Sequence, residues 1–85
     1  MKILQQRRKE ILDKILDQAI DRQYELEVGI EIKESMLMES PEHEAAPKIQ
    51  QIINEERFML DNQLRAIDIL SRKLMEMFPE SDTIN

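Results

Sequence analysis

Apolar positions in the first part of the chain repeat at helical spacing. Between Ile3 and Ile20 they recur at three- and four-residue steps, and charged or amide side chains fill most of the intervening positions. This period indicates an amphipathic helix that packs one face against another element. The apolar positions assigned to that face are Leu4, Ile11, Leu12, Ile15, Leu16, Ala19 and Ile20.

The pattern changes between Tyr24 and Ile32, where apolar and other residues alternate strictly. Alternation alone is typical of a half-buried strand. The helical period on both sides and the lack of turn residues at its ends favour a helix. As a helix, the segment carries two stripes on roughly opposite sides. One contains Leu26, Ile30 and Leu37, and the other contains Tyr24, Val28, Ile32 and Met36. If the segment were extended, we would expect two copies of the chain to pair their strands.

A second helical stripe fills residues 48–78. Ser40 and Pro41 form a helix start signal, but Pro47 follows too closely for an undisturbed helix. We therefore assign 39–47 to a connector. Pro79 is expected to end the second helix, because proline disfavours helical geometry at the preceding residue. The apolar stripe comprises Ile49, Ile53, Leu60, Leu64, Ile67, Leu74 and Phe78, with Ile52 and Leu70 on its edge.

These patterns predict an all-α fold in one domain, a two-helix antiparallel hairpin. Residues 1–38 form the first helix, 39–47 the connector, 48–78 the second helix, and 79–85 a polar tail. An antiparallel register places Leu26 near Leu60 and Leu12 near Leu74. Two helices enclose little apolar surface, so we expect a homodimeric four-helix bundle or a larger helical oligomer.

Composition narrows the functional classes. The chain has 85 residues, one glycine and no cysteine, and 35% of its residues are charged. The absence of cysteine excludes disulfides and thiol chemistry. No apolar run approaches the roughly 20 residues of a membrane span, so we expect no membrane association and a cytoplasmic location.

The charge of the chain, −6 overall, is unevenly distributed. Residues 1–20 carry five basic and three acidic side chains, whereas residues 21–44 carry two basic and eight acidic ones. An acidic balance disfavours nucleic-acid binding, which depends on Lys and Arg. The local exception is the cluster Arg7, Arg8 and Lys9, which supports an alternative function in nucleic-acid or nucleotide binding.

No constellation of residues predicts catalysis. His43 has acidic neighbours, but the residue three positions before it is Ser40, so the Glu-x-x-His step of di-iron bundles is missing. The acidic residues of the first helix are expected to be solvated, and one glycine cannot build a phosphate-binding loop. We therefore expect no enzyme activity, no metal and no cofactor.

The resulting functional prediction is a non-enzymatic protein–protein interaction module, a small adaptor, inhibitor or co-chaperone-like hairpin. Its partners would be a second copy of itself and another protein that the sequence does not identify. The outline resembles the RNA-binding hairpin of plasmid copy-number control, in architecture only. The residues predicted to form the interface are Tyr24, Val28, Ile32, Met36, Phe58 and Ile69.

Overall fold

The computed structural model describes residues 2–78, with side-chain surroundings from Leu4 onward. Helix α1 spans Lys2–Glu39 and helix α2 spans Ala46–Met77. Helix accounts for 91% of the described residues, and no strand occurs among them. The alternating segment Tyr24–Ile32 is therefore helical, and the two helices pack against each other. The polar tail predicted at 79–85 lies outside the described residues.

The connection between the helices is a pair of tight turns. The amide of Ser40 still donates to the Met36 carbonyl oxygen at 3.0 Å, which closes the last turn of α1. The backbone amide of His43 then donates to the Ser40 carbonyl oxygen at 3.2 Å. The amide of Ala46 in turn donates to the His43 carbonyl oxygen at 2.9 Å. These successive bonds reverse the chain within 40–45 and satisfy backbone groups that would otherwise face water.

Helix α2 begins without a side-chain cap. Ala45 occupies the capping position, and Pro47 lies in the first turn, where its missing N–H costs nothing. At the other end, Phe78 leaves the helical region with φ −136° and ψ 65°, while its amide donates to the Leu74 carbonyl oxygen at 2.8 Å. The proline that follows accounts for this end, because it clashes with a helical residue before it.

The hydrophobic core is one thin layer between the helices. Only five apolar residues of the described chain are buried, and Ile53 alone is completely enclosed. No polar or charged residue among residues 4–78 is buried. The buried residues are Ala19, Leu26, Ile30, Ile53 and Leu74. A core this small leaves most of each helix surface outside the hairpin.

Polar contacts across the helix pair define its antiparallel register. Near the connector, Lys33 Nζ lies 2.7 Å from Glu56 Oε1, and Glu34 forms an ion pair with Arg57. Farther from it, Gln63 Nε2 donates to the Ala19 carbonyl oxygen at 3.0 Å. The Leu26–Leu60 pairing expected from the sequence falls midway between these two points of contact.

The hairpin is long and flat, with extents of 61 × 23 × 14 Å. Helix α1 alone accounts for the long dimension, since 38 residues at 1.5 Å each give about 57 Å. A single layer of two helices covers each helix on one side only. Any apolar residue that points away from the partner helix therefore remains in contact with water.

Candidate interaction surface

The outer side of α1 carries an exposed apolar stripe of Tyr24, Val28, Ile32 and Met36, here named the outer stripe. Their exposed fractions are 58%, 51%, 57% and 48%. At about 100° per residue, Val28 points roughly opposite to the mean direction of the buried Ala19, Leu26 and Ile30. Helix α2 therefore cannot cover the part of the stripe around Val28, whereas Met36 at its end lines a concavity shared with Ala45 and Ile49.

Acidic residues border the outer stripe. A shallow concavity of about 640 Å³ runs along it, with Tyr24, Val28, Gly29 and Ile32 in its lining. Asp21 and Glu25 complete the lining. Glu25 is within 3.4 Å of Arg22 on the same helix, an exposed contact that leaves the carboxylate accessible. The surface combines apolar contact area with negative charge, a combination suited to an apolar partner with basic flanks.

Gly29 lies beside the cross-helix ion pair. A Cβ at this position would be 3.3 Å from Glu56 Oε2 and 3.6 Å from Lys33 Nζ. Among the described residues, Glu56 Oε1 has no aligned hydrogen-bond donor, although it is in ion-pair distance of Lys33. The Glu56 side chain of α2 therefore approaches Gly29 closely, and Gly29 has no positive φ.

The other two predicted interface residues lie on a different surface. Phe58 and Ile69 are 68% and 49% exposed on α2. By helical position, both point away from α1, while the outer stripe points away from α2. The six predicted residues thus occupy the two opposite edges of the hairpin, and one partner surface would not cover them together.

The apolar face predicted for the first part of α1 contains more residues than the hairpin covers. Leu4, Ile11 and Ile15 are 66%, 49% and 42% exposed, whereas Ala19 is buried. The reason is angular, because the seven apolar residues of this segment spread over about half the helix circumference. A helical projection of the sequence would have revealed that one facing helix cannot enclose them all.

The basic cluster lies on the first turns of α1, far from the connector. Arg7 and Arg8 are exposed, and Lys9 forms an ion pair with Asp13 at 3.0 Å on the same helix. On α2, Arg65 and Arg72 are similarly paired with Asp61 and Asp68. Acidic partners thus neutralise several of the basic residues at this end of the hairpin.

His43 has a local structural contact within the connector. Its Nδ1 accepts a hydrogen bond from the Ala45 amide at 3.0 Å, just before the start of α2. A cavity of about 550 Å³ next to it is lined by Leu37, Pro41 and Pro47 among others. Among the described residues, no group of three or more His, Cys, Asp or Glu side chains is placed to hold a metal ion.

Neither described helix contains a stretch long and apolar enough to cross a bilayer. Comparisons with models of known families, with curated proteins and with solved structures find no match.

Proposed function

We propose that this chain is a non-enzymatic protein–protein interaction module that self-associates and binds another protein through the outer stripe of α1. The observation that supports this proposal is the position of the stripe. Four apolar side chains, each about half exposed, lie outside the buried face of the same helix, with Val28 opposite it. Such a patch on a small hairpin is the usual mark of an interface.

The energy available from the stripe limits the kind of contact it can make. Full burial of a large apolar side chain contributes roughly 1.5–3 kcal/mol, so completing four half-buried ones would contribute on the order of 3–6 kcal/mol. Association costs about 4–15 kcal/mol in lost freedom of motion. The stripe alone therefore supports only weak binding, and a stable complex needs additional surface or charge complementarity.

The test introduces charge into the stripe without disturbing the core. Val28→Asp combined with Ile32→Asp should abolish self-association measured by sedimentation equilibrium. The variant should also fail to capture the proteins that wild type captures from native lysate. Helicity measured by circular dichroism should persist, because both side chains are more than half exposed. The matched control is Asn54→Asp with Asn62→Asp, which adds two charges at exposed positions of α2.

Equal self-association and equal capture by wild type and by the Val28/Ile32 variant would overturn the proposal. A wild-type chain that is fully helical, monomeric at high micromolar concentration and without any captured protein would overturn it as well.

A further inference from the structure

Exposed apolar residues occur in both halves of α1, and the equivalent repeat positions between the two groups hold Gln18, Arg22 and Glu25. On a seven-residue repeat, Leu4, Ile11 and Ile32 share one position. Ile15 and Met36 share the position four residues later. Val28 occupies a repeat position that lies between these two positions. These six residues, here named the α1 seam, are 42–66% exposed. A seven-residue apolar repeat is the pattern by which two helices pack along a supercoiled contact.

Charge is divided along α1 at the middle of the seam. Residues 2–20 carry five basic and three acidic side chains, whereas residues 21–39 carry two basic and six acidic ones. Contacts with α2 neutralise Lys33 and Glu34. Among the described residues, no salt bridge involves Arg7, Lys14 or Asp21. The helix therefore presents one basic and one acidic half.

We propose that the α1 seam binds the α1 seam of a second copy of this chain, antiparallel, about a two-fold axis near residue 20. This inference rests on the self-association in the proposed function and specifies its geometry. Antiparallel packing places the basic half of each helix on the acidic half of the other. Parallel packing would align like charges and is therefore disfavoured.

Several layers of this register place compatible side chains opposite each other. Ile11 of one copy meets Val28 of the second copy, and Lys14 meets Glu25. The aliphatic part of Arg7 covers Ile32, as long basic side chains do at apolar surfaces. Two-fold symmetry repeats each layer, so every favourable contact occurs twice.

The same register contains one unfavourable contact. Glu10 of each copy lies beside the seam near Glu31 of the other, at a solvated edge where repulsion is weak. The contact is specific to this register and therefore provides a way to identify it.

Charge reversal tests the pairing. Arg7→Glu with Lys14→Glu makes α1 acidic throughout, and Glu25→Lys with Glu31→Lys makes it more basic. Each variant alone should dimerise about tenfold or more weakly than wild type in sedimentation equilibrium, and an equimolar mixture of the two should regain affinity. Glu55→Lys with Glu76→Lys, at exposed positions of α2, controls for net charge and should dimerise as wild type does.

Distance measurements test the orientation. Because the chain has no cysteine, a single introduced thiol can carry a spin label at one position. Asp17→Cys and Met38→Cys occupy equivalent positions of the repeat, and both sites are exposed. In the antiparallel dimer, the two labels at 17 should be roughly 15–20 Å apart and those at 38 about 55 Å apart. Similar short distances at both sites would overturn the antiparallel arrangement.

The outcomes separate this inference from the proposed function. A monomeric wild type whose partner capture is still lost in the Val28/Ile32 variant would overturn the seam dimer and retain the interaction function. A wild-type dimer unaffected by either charge reversal would overturn the register alone. A dimer unaffected by both the charge reversals and the Val28/Ile32 variant would overturn both proposals.

Discussion

Glu56 Oε1 of α2 lies 2.7 Å from Lys33 Nζ of α1, and Oε2 of the same carboxylate lies 3.3 Å from the position that a Cβ on Gly29 would take. Their side chains are 19% and 29% exposed, so this ion pair is the most enclosed one among the described residues. It contributes to the register of the hairpin because its partners come from different helices. Removing one partner leaves the other charge unpaired in a partly desolvated site, which lowers the stability of the fold.

The first prediction concerns this ion pair. Lys33→Met should lower the free energy of unfolding by about 1–2 kcal/mol, because Glu56 would lose its counter-charge. Chemical denaturation followed by circular dichroism measures the loss. Arg22→Met is the control, since Arg22 and Glu25 form an exposed contact within one helix that contributes little. An equal effect of the two variants would contradict the special role of the Lys33–Glu56 pair.

The second prediction is that Gly29→Ala stabilises the protein. Replacing glycine within a helix gains about 1 kcal/mol. The new Cβ would approach Glu56 Oε2 at 3.3 Å, but that atom is at the end of a side chain that can move by a few tenths of an ångström. The midpoint of thermal unfolding should therefore rise. A fall would show that the carboxylate cannot shift and that Gly29 is required by packing.

The third prediction concerns Ala19, which faces Gln63 of α2. Ala19 is buried, and its carbonyl oxygen accepts the Gln63 side-chain amide at 3.0 Å. Ala19→Leu should destabilise the hairpin by roughly 1–3 kcal/mol, because added volume between packed helices forces side chains aside. Ile20→Leu, at the neighbouring half-buried position, is the control and should cost less. A neutral Ala19→Leu would mean that the helices do not approach closely there.

The fourth prediction applies to the seam dimer. Glu10→Lys should tighten dimerisation roughly two- to tenfold, because it turns a like-charge contact with Glu31 of the second copy into an attractive one, repeated by symmetry. Glu10→Gln should have an intermediate effect. Sedimentation equilibrium at low ionic strength measures both. A weaker dimer with Glu10→Lys would contradict the register.

The fifth prediction addresses the alternative function in nucleic-acid binding. With Lys9 paired to Asp13 and a net charge of −6, a labelled RNA or DNA should show no mobility shift at physiological salt. A shift that weakens with salt and disappears with Arg7→Ala and Arg8→Ala would instead support the alternative.

Much of the fold could be predicted from local pattern. The three- and four-residue apolar steps predicted both helices, and Pro47 and Pro79 marked the limits of the second one. The exposed stripe through Val28 was also recognisable, because its angular position relative to Leu26 follows from helix geometry alone. These features depend on residues close together in the chain, so their physical cause is contained in the sequence.

Long-range contacts could not be read in the same way. The pairing of Lys33 with Glu56 and of Gln63 with Ala19 depends on the axial offset between the two helices. A periodic apolar pattern determines this offset only to within about one helical turn. The exposure of Ile11 and Ile15 arises because α2 is the only other helix among the described residues, and it covers α1 from one side. The sequence by itself determined two helices with apolar residues on more than one side. Only the tertiary structure decided which of those sides the hairpin encloses, because burial is a property of two surfaces brought together.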